Sequence, residues 1–539
     1  MANTHDTASQ HSPLPLVIQI GFAGARKLVD RTAYPKAAAE DVFAEAAAQA
    51  VLAVLKQLPQ QLALGEAPIF FCGISQIAIG ADRAFAAALA LHGSLHRVFL
   101  PQPLDGYLAA VGSSGPDFSA AEQDMAKALL AKACVIQTRV VSDAADRRER
   151  FRETNIEIAR VSDVVICLQR AEQTGKAGGT QELAELARRR NRPVITLEIG
   201  VGPDGQPQIT RLSDDEKAPP PKFRVLRLPE DLRHAGIDAL PVQPLPSGKN
   251  YAHALKNANS AQANQLRGWF QWAALIIVGG HVLATMLAVL ALKVQFGLAY
   301  ILVAELLLLG LGLGVHYRLH HSRSLGRWAA CRLAAEVARS VQALGKLPVY
   351  LQHFFTLPFP AEFRPLLRTL SVLHLHDTAH ASSEKWQEAR CAYVSERLVE
   401  PARKAQIPYH ENARRHAKTR LSWARRIFYG ASISALLATA LKLLTLALSV
   451  PAPIIAVLGA LAILLPVIAV ATLSLALAFD LEAKEHTASE LLIFLNEQKA
   501  LLMDAQSLGE VCRLVIETET RLLGETVNWY ARRSFVGVA

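Results

Sequence analysis

The chain is 539 residues long, 51% apolar and 19% charged, with 57 lysines and arginines against 47 acidic residues and a formal net charge of +10. Its cysteines, Cys72, Cys134, Cys167, Cys331, Cys391 and Cys512, are scattered without disulfide-framework or zinc spacing, which excludes a stapled secreted scaffold and leaves small buried thiols in a reducing compartment. The basic excess gathers at the ends of long apolar runs, so no nucleic-acid partner is needed to explain it.

Residues 1–13 are expected to form a polar tail, not a secretory leader. From 14 to 200, apolar runs of strand length at 16–20, 69–72, 97–100, 134–140, 164–168 and 194–197 alternate with helical patterns at 37–57, 81–91, 120–131, 149–161 and 180–190. Such alternation predicts an α/β domain, a mostly parallel sheet covered by helices on both faces. Ligands of such sheets bind at the carboxyl ends of the strands, where glycine-rich turns lead into helices. Three turns have this chemistry. Gly21, Gly24 and Arg26 follow the first strand; Gly80, Asp82 and Arg83 open the helix after the second; Gly178, Gly179, Thr180 and Glu182 follow the penultimate strand. The glycines would let backbone N–H groups approach an anion, and the arginines would add charge-assisted hydrogen bonds. The plainer alternatives are an Asp82–Arg83 ion pair at the helix start and a Glu182 carboxylate stabilised by the helix dipole. The run from Arg147 to Arg152 reads as a solvated helix face, with a cationic arm for phosphates as the other possibility.

The segments Ile20 to Arg26, Ala78 to Arg83, Phe99 to Pro101, Val161 to Ile166 and Gly178 to Glu182 resemble, in this order, the SLOG superfamily. That family has a Rossmann-like fold and binds nucleotides or nucleotide-derived ligands. The resemblance implies that Gly21, Gly24, Arg26, Gly80, Asp82, Arg83, Gly178, Gly179, Thr180 and Glu182 line a ligand pocket. LOG-type hydrolases of this superfamily carry a glutamate three residues after the threonine. Here Leu183 stands in that place, flanked by Glu182 and Glu185, and a helix turns about 100° per residue, so neither acid points the same way. Binding is therefore favoured over hydrolysis, with no metal and no cofactor beyond the nucleotide-derived ligand.

Residues 201–250 shift to proline, glycine and charge and read as a linker, in which 223–228 has the pattern of an edge strand. Beyond it lie four apolar runs, 269–292, 294–315, 427–449 and 453–479, each long enough to cross about 30 Å of hydrocarbon as a helix. They predict an all-α membrane region with four transmembrane helices: a first hairpin at 251–316, a cytoplasmic helical insert at 317–426, a second hairpin at 427–479 and C-terminal cytoplasmic helices at 480–539. Arg267, Arg318, Arg323, Arg327 and the cluster from Arg414 to Arg426 flank the spans. By the positive-inside rule both termini are then cytoplasmic, in a multi-pass protein of the bacterial inner membrane. Leu491, Leu492, Leu495, Leu501 and Leu502 form an apolar seam suited either to a homo-oligomer or to packing on the central helices. His281, Glu305 and Lys442 are polar groups at membrane depth. They would form a ring that lines a pore, or Glu305 and Lys442 would pair and fix how the hairpins pack.

The hairpins echo each other, with Asn257-Ala258 and Asn412-Ala413 before them and Leu283-Ala284-Thr285 and Leu437-Ala438-Thr439 inside them. This arrangement resembles the SLATT family of two-span proteins, which accompany SLOG domains in bacterial conflict systems and are thought to form pores. Together the two resemblances imply a sensor-effector of antiviral defence that binds a nucleotide-derived messenger and permeabilises the membrane. A membrane-tethered nucleotide hydrolase or glycosidase acting through Glu182 or Asp82, and a nucleotide-regulated transporter or scaffold, are the alternatives.

Overall fold

The structure is a computed structural model that describes residues 16–61, 69–112, 115–171, 179–212, 247–291, 298–322, 324–345, 347–349, 351, 353–379, 385–401, 405–448 and 451–535. It divides into two compact units, one of Met1–Tyr251 with Phe359–Ala381, the other of Ala252–Pro358 with Ser382–Ala539. The expected tail at 1–13 and the edge strand at 223–228 lie outside the described residues.

The first unit is built on β1 (Leu16–Gly24), β2 (Ile69–Ser75), β3 (Leu95–Leu100), β6 (Val135–Val140), β7 (Val164–Arg170), β8 (Val194–Val201) and β9 (Pro207–Leu212), with a two-residue hairpin formed by β4 (Val111–Gly112) and β5 (Gly115–Pro116). The seven strands stand in the order β6-β3-β2-β1-β7-β8-β9. All pairs are parallel except β8 with β9. The chain steps outward from β1 through β2 and β3 to β6, then returns to lay β7 on the other side of β1. The strand order thus reverses between β1 and β7, the place where open α/β sheets leave a crevice at their carboxyl edge.

Burial on both faces explains why the central strands read as continuous apolar runs. On one face α1 (Glu40–Gln61) and α2 (Ala81–His92) bring Phe43, Val51, Leu55 and Phe85 onto Ile18, Ile20 and Phe22, with the Phe22 and Phe85 rings stacked 4.4 Å apart. Beside α2, α3 (Leu104–Leu108) and α4 (Ala120–Leu130) cover β3 and β6 through Tyr107, Leu108 and Leu129. A separate core holds α5 (Arg147–Val161) and α6 (Thr180–Arg189), where Ile158, Ala159, Leu183 and Ala187 meet Ile74, Val165 and Cys167. By length and composition α1 would also suit a bilayer, but its apolar side is already buried in this core.

Two boundaries differ from the sequence expectation. β1 runs on to Gly24 because Ile20 to Gly24 pair residue by residue with Val164 to Leu168 of β7. The stretch read as linker begins with a hairpin: β9 returns antiparallel on β8 through a turn in which Gly205 has a φ of 77°.

In the second unit, α7 (Gly248–Ala291, whose first turn belongs to the first unit) and α8 (Leu298–His321) form one antiparallel hairpin. Then come α9 (Ser324–Leu344) and the short α10 (His353–Thr356). The chain next supplies α11 (Arg364–Thr378), which packs within the first unit, and returns for α12 (Trp386–Tyr393) and a π turn at Val394–Val399. α13 (Gln406–Ala447) and α14 (Ala452–Ala478) make the second hairpin, followed by α15 (Leu481–Asp504) and α16 (Leu508–Phe535). α9 packs on α16, with Trp328 edge-on to Trp529 at 5.0 Å. A buried ion pair joins Arg397 to Glu519 through two bonds of 2.9 and 2.8 Å, and Tyr393 donates to the same carboxylate. Leu491, Leu492, Leu495 and Leu502 are buried inside this unit, which gives the leucine seam an intramolecular role, whereas Leu501 is exposed.

Several of these helices are long and apolar enough to cross a membrane. Their outward side chains are apolar too: Leu302, Leu306, Leu307 and Leu313 on α8, Leu436, Leu437 and Leu443 on α13, and Val457, Val470 and Leu477 on α14 are all exposed. Water would penalise so large an apolar surface, and lipid would not.

The segment 317–426, read from the sequence as one insert, is divided in the structure. Its middle part, Phe359–Ala381, groups with the α/β unit. There Thr369 accepts the Val17 N–H at 3.1 Å. Arg368 pairs with the buried Asp163, whose other oxygen accepts the Gln19 N–H at 3.0 Å. At the far end of α11 the Asp377 carboxylate accepts from Ser247 Oγ at 3.0 Å and from the Lys249 N–H at 3.1 Å, which caps the first turn of α7. Gly248 must be small here, since a Cβ on it would lie 2.8 Å from the Leu373 carbonyl carbon.

Candidate functional site

The carboxyl end of β1 packs unusually close to the start of α2, and two glycines make that approach feasible. A Cβ on Gly24 would overlap the Ala81 methyl and come within 3.1 Å of the Leu168 carbonyl oxygen. Gly80 has a φ of 75°, and a Cβ there would strike the Arg26 carbonyl and lie 2.8 Å from the Ala25 carbonyl. The turn closes on itself: Ala25 donates to Leu168 O at 2.9 Å, and Ala81 donates to Ala25 O at 3.0 Å. Those two amides are therefore bonded within the protein and are not open to a ligand. Gly21 stands inside the strand, where a Cβ would overlap the Ser162 hydroxyl and sit 2.9 Å from an Ile158 methyl. Gly80→Ala is expected to destabilise the unit by about 2–3 kcal/mol, from the disallowed φ and the clash together. Urea unfolding of the full-length protein in detergent would measure it, and an unchanged midpoint would contradict this account of the turn.

The side chains at this edge form a charged cluster. Arg26 reaches Asp117, with an ion pair at 3.2 Å and a hydrogen bond to the Asp117 carbonyl at 2.8 Å, and its guanidinium lies 5.5 Å from the Phe118 ring centroid. Arg147, the first residue of α5, pairs with the other oxygen of Asp117 and donates to the Val111 carbonyl at 3.2 Å. Two partly exposed guanidinium groups thus share one carboxylate beside the β1–β7 reversal. Behind them Asp82 is buried and accepts the Ala78 N–H at 3.0 Å. Burial pushes its carboxyl up to about 7, against the Ala78 bond and the attraction of Arg26. Tyr107 is buried in the same field, and burial raises its hydroxyl, helped by Asp82 and Asp117. Arg83 is half-buried and makes no ion pair with Asp82 among the described residues. The sequence did not reveal Asp117, Tyr107 or Phe118. Arg147, read as part of a solvated face, turns out to be bonded to Asp117.

On the β7 side, Gly178 lies outside the described residues. Gly179 precedes α6 and its carbonyl accepts from Asn155 Nδ2 at 3.2 Å, while Thr180 opens the helix. Glu182 faces Arg152 of α5 at 3.5 Å. Further along the edge a crevice of about 300 Å³ opens beside the ends of β1, β7 and β8, lined in part by Asp30, Tyr34, Arg170 and Glu198.

Two of the three polar residues of the long apolar helices, His281 and Lys442, sit against glycines of their own hairpins. His281 Nδ1 lies 2.7 Å from the Ile277 carbonyl, and its ring is 3.4 Å from where a Cβ on Gly312 of α8 would be. Lys442 Nζ lies 3.2 Å from the Cβ position of Gly459 on α14. Glu305 is half-buried on α8 and makes no ion pair with Lys442 among the described residues. A cavity of about 460 Å³ between α7 and α14 is lined by His281, Thr285, Pro466 and Ser474 among apolar neighbours. No family model, no curated protein and no solved structure matches this chain.

Proposed function

We propose that the chain is a four-span membrane sensor-effector: its α/β unit binds a nucleotide-derived anion, and binding biases the helical unit between closed and permeabilising states. The carrying observation is the pair Arg26 and Arg147, held together on Asp117 at the carboxyl edge of β1. An anion arriving there meets two guanidinium groups, the side chain best shaped for phosphate. The SLOG-like motifs favour a nucleotide, and the SLATT-like hairpins favour an effector of bacterial antiviral defence in the inner membrane.

The topology supports two hairpins. Val17 bonds Thr369, so both lie on one side of any bilayer and the chain between them crosses an even number of times. Trp328 touches Trp529, which imposes the same condition on the second hairpin. Basic residues flanking the spans favour the cytoplasm for that side. Linkage demands that the ligand bind the permeabilising state more tightly than the closed one.

Arg26→Ala with Arg147→Ala is expected to lower affinity for ribonucleoside diphosphates by about a hundredfold, two charge-assisted hydrogen bonds being lost. The same variant should abolish their effect on dye leakage from proteoliposomes. Ligand-dependent leakage that survives in the double variant would refute the assignment. One observation favours a second reading: a buried carboxyl near neutrality, Asp82, is poised for general acid catalysis in a nucleotide hydrolase. Free base released from nucleotides by the native protein, and not by Asp82→Asn, would establish that reading instead.

A further inference from the structure

The crevice beside β1, β7 and β8 has a chemistry distinct from that of the arginine pair. Its walls carry Asp30, Tyr34, Arg170, Glu198, Gln208 and Thr210. Glu198 stands opposite Thr210 in the β8–β9 register, and the next pair on that face is Gly200 with Gln208. A Cβ on Gly200 would have no neighbour closer than 3.9 Å, so the glycine leaves open space on that face. Asp30 is oriented by its own loop: one oxygen accepts the N–H groups of Thr32 and Ala33 at 3.0 and 3.4 Å. Its other oxygen lies 3.8 Å from Arg170, near enough for attraction and too far for a hydrogen bond. Arg170 Nε is shielded from solvent and has no hydrogen-bond partner among the described residues.

The ligand group that suits this lining can be found by elimination. Ionised Asp30 and Glu198 only accept hydrogen bonds, and Arg170 only donates. A phosphate would face two carboxylates, and an ammonium, which only donates, would leave Arg170 Nε without an acceptor. A hydroxyl both donates and accepts, so adjacent hydroxyls satisfy acid and base together. We propose that this crevice is a sugar subsite, taking the vicinal hydroxyls of a ribosyl group whose phosphates engage Arg26 and Arg147. The proposal rests on the anion site above and specifies which part of the ligand it leaves unassigned.

The test uses the full-length protein in detergent, titrated calorimetrically with ADP, GDP, CDP and UDP and with their 2′,3′-dideoxy counterparts. Whichever base binds, the ribose form should bind at least about tenfold more tightly than the dideoxy form, the loss expected from one or two charge-assisted hydrogen bonds. In Asp30→Asn with Glu198→Gln that preference should vanish while the dideoxy affinity stays unchanged. Asparagine keeps an acceptor for Thr32 and Ala33, and the native comparison is decisive even if the variant misfolds. Equal affinity of the native protein for both sugars overturns the subsite and leaves the anion site standing. Failure of every diphosphate to bind overturns both.

Discussion

Replacing Arg368 with alanine is expected to destabilise the α/β unit by about 3–5 kcal/mol, because it strands a carboxylate in the protein interior. Asp163 is 1% exposed and its partner Arg368 is 8% exposed, so water cannot take over the lost contact. Asp163 cannot withdraw either, since it holds the Gln19 N–H. Arg192, half-buried within the field of Asp163, supplies some positive charge, which places the effect toward the lower end of the range. Hydrogen exchange of the Val17 and Gln19 amides in the detergent-solubilised chain should accelerate by about a hundredfold or more. Replacing the pair together, Asp163→Asn with Arg368→Met, should recover most of the loss, as removal of a whole buried pair is far milder than removal of half of it. Unaltered exchange in Arg368→Ala would mean that α11 does not hold this edge of the sheet.

Asp82→Asn should act in the opposite direction and stabilise the protein above neutral pH. Burial raises the carboxyl from 3.8 to about 7, so the fold favours its protonated form. The contribution is then fully present below the unfolded value and is lost as pH rises through about 7, a difference of roughly 4 kcal/mol for three pH units. The native chain should consequently melt at lower temperature at about pH 8 than at pH 5, and the asparagine variant should show a flatter profile. Removing Arg26 as well should steepen the dependence in chains that keep Asp82, since Arg26 opposes the rise. Equal slopes in native and Asp82→Asn proteins would show that this carboxyl is ionised at little cost.

The sheet was legible because its central strands are buried on both faces and so write themselves as unbroken apolar runs. The long apolar helices were legible as unbroken apolar runs of greater length, although their apolar side chains lie exposed. What the sequence hid are contacts between distant residues of ordinary appearance. Asp117 and Arg147 are 30 positions apart, and nothing local marks either as the other's partner. Arg368 and Asp163 are 205 positions apart, so α11 read as one more helix of the insert. Gly24 closes β1 and Gly80 precedes α2, and their smallness serves the packing of β1 on α2, a demand that only the third dimension discloses. The length of β1 likewise depends on its register with β7, which no local pattern encodes.

The bond between Val17 and Thr369 spans 352 positions of chain, and it sets an order of events at the ribosome. At about 5–20 residues per second, the first strand waits roughly 20–70 s for the helix that seals its edge. During that interval the first apolar hairpin emerges as well. The α/β unit therefore matures only after α7 and α8 have been made, and a gene cut before residue 364 would encode a sheet with its amino edge bare. Recombinant fragments of the first unit need α11 grafted on, or they will report on a sheet that lacks its Thr369 and Arg368 contacts.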